Sequence, residues 1–266
     1  MSLKKRASMI RLGIPIKTLD LTFYPITMEH YEEFLECKDV LGLRMTTLPV
    51  KYFSKDYASG IFLFDMDSIR NTGKNTGLFL RFLRMVYLSL RIEIDLKKVE
   101  IKVKQENGEQ VLDGVWFNQC DKRVFITSNQ LSFQIRSLIA QQNGIELPDE
   151  SENIDLIRDY AEQQKQKNGN VNLNVDIGDL IASVAYLSGK TEREVNDWTV
   201  LEFERRKRAI DRDKLYMLYA QAELGGMVKF KNGNPVPSWC YDVIDDSLGT
   251  QSLSQLQFGG AKQKTD

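Results

Sequence analysis

The chain has one histidine, His30, and three cysteines, Cys37, Cys120 and Cys240, in 266 residues. A single histidine cannot build a histidine-rich metal site. Three thiols far apart and in no paired motif argue against a thiolate zinc site and against a disulfide framework, and suit a reducing compartment. An excess of charge is also missing: 36 basic residues stand against 37 acidic ones, for a formal net charge of −1. No global field draws such a chain onto nucleic acid or an anionic membrane, which leaves only local patches for those contacts. Long apolar runs are lacking as well. Arg81, Arg84 and Arg91 interrupt the best candidate, Leu78 to Ile92, which falls short of the ~20 apolar residues a membrane span requires. The first ten residues have a basic start but no sustained apolar core and no small-residue cleavage site, so no secretory signal is read there. These absences predict a soluble intracellular protein.

Hydrophobic residues make up 42% of the chain, enough for one large domain or two modest ones whose core needs no staples. The most conspicuous catalytic pattern is Gly60-Ile-Phe-Leu-Phe-Asp-Met-Asp-Ser68. An apolar run ending in Asp-x-Asp resembles the first motif of haloacid-dehalogenase-type phosphotransferases. There one carboxylate attacks phosphorus, the second handles the proton, and magnesium shields the charge. That motif continues with Gly-Thr or a close variant, whereas Ser68-Ile69-Arg70 follows here. Tyr57, Ile61, Phe64 and Ile69 fall near helical spacing, and Phe62, Leu63 and Met66 widen the stripe. The spacing predicts a helix from Asp56 to Arg70 with Asp65 and Asp67 about 200° apart. So short an apolar run also allows a buried strand. Fainter phosphatase echoes in Val124-Phe-Ile-Thr-Ser128 and Val243-Ile-Asp-Asp246 keep a magnesium-dependent phosphotransferase using Asp65 and Asp67 as an alternative. It needs a parallel sheet that the intervening sequence does not supply, so the expectation is no enzyme, with no catalytic residue, cofactor or metal.

Lys17 to Ile26 alternates through Leu19, Leu21 and Phe23 and reads as a strand ended by Pro25, with Thr27 capping a helix from Met28 to about Lys38. His30 and Glu33 lie on that helix, and nothing of defined spacing makes His30 a base. Asn71-Thr-Gly-Lys-Asn-Thr-Gly77 lacks the glycine and the Gly-Lys-Ser/Thr ending of a phosphate loop and is read as a turn between helices. Phe79, Phe82, Leu83, Val86 and Leu90 then form one face of a helix from Leu78 to Leu90. From Val99 the period switches to two, and Asn107-Gly108 between alternating runs signals a hairpin. Val124 to Ile126 supplies a third antiparallel strand, and Thr127-Ser128 opens a helix through Gln142 that Asn143-Gly144 stops.

Composition turns polar from Asp149 to Asn174, centred on Gln163 to Gly169, and reads as a linker. Beyond it come a helix from Val175 to Leu187, a capping box at Thr191-x-x-Glu194 for a short second helix, and a longer helix that Trp198-Thr199 precedes, running through Leu224 and closed by Gly225-Gly226. The expected architecture is α+β and mainly helical. An N-terminal domain over 1–168 holds a small antiparallel sheet, a helical C-terminal domain covers 169–246, and a polar tail covers 247–266, read as disordered. Arg205-Arg-Lys-Arg208, after the turn at Ser188 to Thr191, raises a nucleic-acid-binding accessory protein as a further alternative. Four consecutive cations on a helix cannot line one groove, and Glu202, Glu204, Asp211 and Asp213 flank them. A solvated helix with salt links of ~0.3 to 0.5 kcal/mol each is the expectation.

Three stretches together carry a resemblance: Phe23-Tyr-Pro-Ile-Thr-Met-Glu-His-Tyr-Glu-Glu-Phe34, Ile126 to Arg136 running into Gln142-Asn-Gly-Ile145, and Asp197-Trp-Thr-Val-Leu-Glu-Phe203 through Gly226-Met-Val-Lys-Phe230. They resemble proteins coded in the tail-morphogenesis region of siphophages and prophages of Gram-positive bacteria, the tail assembly chaperones. The resemblance implies a non-catalytic protein of the host cytoplasm that keeps the tape-measure protein soluble while tail-tube protein polymerises around it. Those two are its expected partners, and self-association into a homo-oligomer is compatible with the class. A long helical client with repeated apolar faces calls for exposed grooves rather than a pocket. Trp198, Phe203, Tyr216 and Tyr219, beside charged residues on the C-terminal helices, are the candidate partner-binding residues, with Trp198 and Phe203 also suited to a core.

Overall fold

A computed structural model of the chain describes residues 3–95, 98–106, 108–120, 122–149, 176–230, 234 and 236. The polar segment 163–174, the boundary placed at Gly169, Cys240, Asp245, Asp246 and the tail over 247–266 lie outside the described residues. The architecture is mixed α+β with two small antiparallel sheets and helices following them. Two compact units divide the chain, Met1–Arg205 and Arg206–Asp266.

The first unit opens with α1 (Leu3–Arg11) and a hairpin of β1 (Ile16–Thr18) and β2 (Leu21–Phe23), in which Ile16 pairs with Phe23 and Thr18 with Leu21. The single strand expected from Lys17 to Ile26 is therefore two. Leu19 and Asp20 take φ of 51° and 60°, the left-handed pair of a tight two-residue hairpin turn. Asn and Gly usually mark such a turn, and here neither does. A 3-10 turn at Met28–His30 leads into α2 (Tyr31–Leu41), and Thr27 makes no side-chain cap there. α3 (Tyr57–Thr72) and α4 (Leu78–Leu90) follow, separated by a loop between left-handed Gly73 and Gly77.

The second sheet runs β3 (Glu100–Glu106), β4 (Glu109–Gln119), β5 (Lys122–Thr127), antiparallel throughout with β4 in the centre. Thr127 then caps a helical run in a capping box with Gln130. That run comprises α5 (Ser128–Gln130), a π-helical stretch Leu131–Ile135 and α6 (Arg136–Asn143), ended by left-handed Gly144. α3 packs on β4 and on α4, while α4 also packs on α2. Ile61, Phe82, Met85, Leu112, Phe117, Ile126 and Leu131 are fully buried between them.

Buried polar side chains fasten these layers. The hydroxyls of Ser132 (2.6 Å), Ser128 (2.7 Å) and Ser59 (3.0 Å), with the Ser59 N–H (3.0 Å), converge on the Asp56 carboxylate that caps α3. Burial pushes this carboxyl up, but the hydrogen bonds from Ser132, Ser128 and Ser59 outweigh it and hold Asp56 below the usual carboxylate range. Arg136 lies over the Tyr57 ring, 3.5 Å from its centroid, and donates to the Leu41 carbonyl at the end of α2 and to the Leu43 carbonyl just beyond it. Gln119 acts as an extra strand residue, accepting from Thr22 N–H and donating to the Thr22 and Leu90 carbonyls.

α7 (Ile177–Ser188), α8 (Glu192–Asn196), with its Thr191–Glu194 capping box, and the first turns of α9 (Val200–Leu224) complete the first unit. They close on residues far away in sequence. Thr27 bridges to Thr199, Met28 N–H donates to the Trp198 carbonyl (2.9 Å), and Val200 N–H donates to that of Ile26 (2.9 Å). Val195, Val200, Leu201 and Phe203 are buried there.

Candidate functional site

Asp65 and Asp67 both lie on α3, as the helical spacing predicts, and point to different neighbours. Asp65 is buried and receives the N–H groups of Phe79 (2.8 Å) and Leu78 (3.2 Å) together with the Thr76 hydroxyl. It caps the start of α4 from outside, where Gly77 has no side chain to do so. Asp67 accepts from Tyr52 Oη (2.8 Å) and from Lys51 Nζ, with Arg70 at 3.9 Å. The Lys51 bond, opposed by burial and helped by Tyr52, lowers its carboxyl below the usual range. Both carboxylates are thus engaged in holding helices, and neither stands at a strand end.

His30 sits in an open cleft of about 740 Å³ within the first unit. Glu29, Glu33, Arg84, Asp197 and Arg91, the residue that follows α4, are among the side chains that line it. His30 Nδ1 lies 3.8 Å from Glu33, and Arg84 lies 3.7 Å from Glu36. Among the described residues no group of three His, Cys, Asp or Glu is placed to hold a metal ion, and no helix is long and apolar enough to cross a membrane.

The four aromatic candidates separate. Phe203 is fully buried and its ring meets Tyr31 (5.8 Å between centroids), whose hydroxyl donates to Glu204 (2.9 Å). Burial and the Glu204 contact raise the Tyr31 phenol above its ordinary value. Phe203 therefore serves the core, the second of the two roles its sequence allows. Trp198 is half-buried at the junction with Met28. Tyr216 and Tyr219 belong to the second unit and are half-buried on α9. The chain after Gly225-Gly226 turns back along the helix: Met227 N–H donates to the Ala222 carbonyl, Phe230 packs edge-on against Tyr219 (5.4 Å), and Asn234 donates to the Tyr216 carbonyl.

What stands open on α9 is aliphatic. Leu215 (41% exposed), Met217 (50%), Leu218 (59%) and Leu224 (89%) project to solvent, and Met227 (84%) and Val228 (43%) extend the surface beyond the helix end. Attention to aromatic anchors missed these residues. The signal was nevertheless present, because Leu215-Tyr-Met-Leu-Tyr-Ala220 is apolar at every azimuth, more than a helix with one buried face can hide. Arg205-Arg-Lys-Arg208 lies upstream on the same helix, its positions fanned by about 100° per residue. Compared with family models, with curated proteins and with solved structures, the chain matches none.

Proposed function

We propose that the chain is a non-catalytic tail assembly chaperone of a siphophage or prophage, acting in the host cytoplasm. Its client is the tape-measure protein, kept soluble until tail-tube protein assembles around it. The observation that carries this reading is the exposed run of Leu215, Met217, Leu218, Leu224 and Met227. Large apolar side chains left exposed in such number over one stretch of chain mark a contact site, and Met and Leu adapt to varied apolar partners. A client built of repeated amphipathic helices is bound by such a surface through helix-in-groove contacts. The engagement of Asp65 and Asp67 in capping and ion pairing supports a binding role over phosphoryl transfer.

Co-expression with the tape-measure protein of the same genome tests the proposal. The full chain is expected to raise the client's soluble yield and to co-purify with it, and Leu218→Asp with Leu224→Asp is expected to abolish capture while the circular dichroism spectrum and melting curve are retained. Equal client solubility with and without the chain would overturn the reading.

A further inference from the structure

We infer that the outer edge of β3 pairs antiparallel with β3 of a second copy of this chain, with Lys102 on the two-fold axis; this does not depend on the chaperone reading. Among the described residues β3 lies at the end of its sheet, paired with β4 on one side only, and all seven of its residues are exposed. The hairpin sets which backbone groups face out. Glu106 and Glu109 stand opposite each other across a two-residue connection, and such a closing pair exchanges hydrogen bonds between its strands. Alternate residues from there, Lys104, Lys102 and Glu100, also turn their N–H and C=O groups toward β4. Those of Ile101, Val103 and Gln105 turn outward, the unpaired kind of edge to which another strand adds.

The strand that fits this edge is β3 itself. With Lys102 opposite Lys102 of the second copy, Ile101 faces Val103 in hydrogen-bonded pairs, so the two exposed aliphatic side chains of the strand cover one another. On the other face Glu100 meets Lys104, and Lys98, just before the strand, meets Glu106. These ionic pairs fall at the positions without hydrogen bonds, where facing side chains stand closest. Lys104 makes no ion pair among the described residues and gains one here. Glu100 and Glu106 have Arg123 and Lys55 (3.7 Å) beside them, and Lys98 has Asp95 (3.1 Å). A carboxylate oxygen pair accepts from more than one cation, so these contacts and the new ones coexist. The one like pair, Lys102 with itself, is offset by Asp113, 2.9 Å from the ammonium. Neighbouring registers are worse. An axis at Val103 sets Glu100 against Glu106 and Lys102 against Lys104. One at Ile101 sets Lys98 against Lys104, and one at Lys104 sets that lysine against itself.

Sedimentation equilibrium of the full-length chain is expected to show a monomer–dimer equilibrium in the micromolar range, as suits a contact between two short strands. Lys104→Glu alone and Glu100→Lys alone should each weaken it about tenfold, because two ionic pairs become like-charge pairs. An equimolar mixture of the two variants should restore it, since every Glu100–Lys104 position then joins opposite signs in a mixed dimer. Val103→Pro removes an outward N–H and leaves the hydrogen bonds to β4 in place, so it should abolish the dimer while the circular dichroism spectrum is retained. A parent chain that stays monomeric overturns the inference. So does a dimer indifferent to both charge substitutions, which would place the contact on another surface, and so does a mixture that associates no better than either variant alone.

Discussion

Asp65 and Asp67 stand two residues apart in the most enzyme-like stretch of the chain, yet their surroundings assign them unequal structural weight. Replacing Asp65 with Ala leaves the buried Phe79 and half-buried Leu78 N–H groups without the Asp65 acceptor and should cost about 2–3 kcal/mol. Asp67→Ala removes an ion pair whose lysine is half-exposed and should cost no more than about 1 kcal/mol. Urea denaturation of the two variants checks the ranking. Magnesium-dependent phosphate ester hydrolysis that disappears in a folded Asp65→Asn variant would show the assignment to be wrong. Asp56 makes a pH prediction. Its folded pKa is depressed, so its contribution is complete well above the ordinary carboxylate value of about 4 and is lost as the pH falls through the lowered one. The stability gap between the parent chain and Asp56→Asn should accordingly narrow below about pH 4, measured as urea midpoints across pH. A gap constant to pH 2 would assign Asp56 a purely geometric part. The sequence showed Asp56 as a helix start, since a cap is read from residues three apart. It did not show Asp65 as the cap of another helix, because its donors lie 13 and 14 positions onward and only the loop's path brings them together.

At the scale of elements, legibility followed how local the cause is. Leu78 to Leu90 was bounded by its apolar face and by Gly77, the hairpin by Asn107-Gly108, and α8 by the Thr191–Glu194 box, and these signals lie within a few residues of what they specify. The β1–β2 turn was not legible, because Leu19 and Asp20 adopt a backbone their side chains disfavour. The neighbours that hold it, such as Gln119 on Thr22, lie nearly a hundred residues away. Gly114 in β4 gives a sharper test. A Cβ there would lie 2.3 Å from the Ile126 carbonyl oxygen and 2.6 Å from the Phe125 ring. That ring sits beside Trp116 (5.0 Å), with Arg123 over Trp116 and Lys102 over Phe125. Because one obstruction is backbone, Gly114→Ala should destabilise by about 2–3 kcal/mol or more, seen in thermal melts. An unchanged melting temperature would mean that β4 and β5 separate there easily. The candidate site was half legible: its helix was visible, but its exposed aliphatic residues were passed over for aromatic ones. The return of Phe230 onto Tyr219, which decides what stays open, is a tertiary event.

For the whole molecule, the question is where the first compact unit ends. Composition places a boundary at Gly169, while the compact unit runs to Arg205 and includes the buried Val195, Val200, Leu201 and Phe203. The two divisions predict different fragments. Residues 1–149 lack all four buried side chains and should melt about 10 °C or more below residues 1–205, since several kcal/mol of burial is lost from a unit of this size. Equal melting temperatures in differential scanning calorimetry would favour independent packing on either side of Gly169.

The bridge from Thr27 to Thr199 also sets an order of events during synthesis. Ile26, Met28 and Tyr31 leave the ribosome long before Trp198, Val200 and Phe203 exist. At about 5–20 residues per second the interval is roughly ten to thirty seconds. Throughout that time the N-terminal strands and α2 lack the segment that covers them, and an ordering of elements from front to back cannot finish the unit. Nascent chains stalled before residue 198 should therefore be cut readily near Tyr31, while chains stalled far enough downstream to release Phe203 should be protected there. A protein proposed to keep another chain soluble must first wait, partly uncovered, for its own late-made residues.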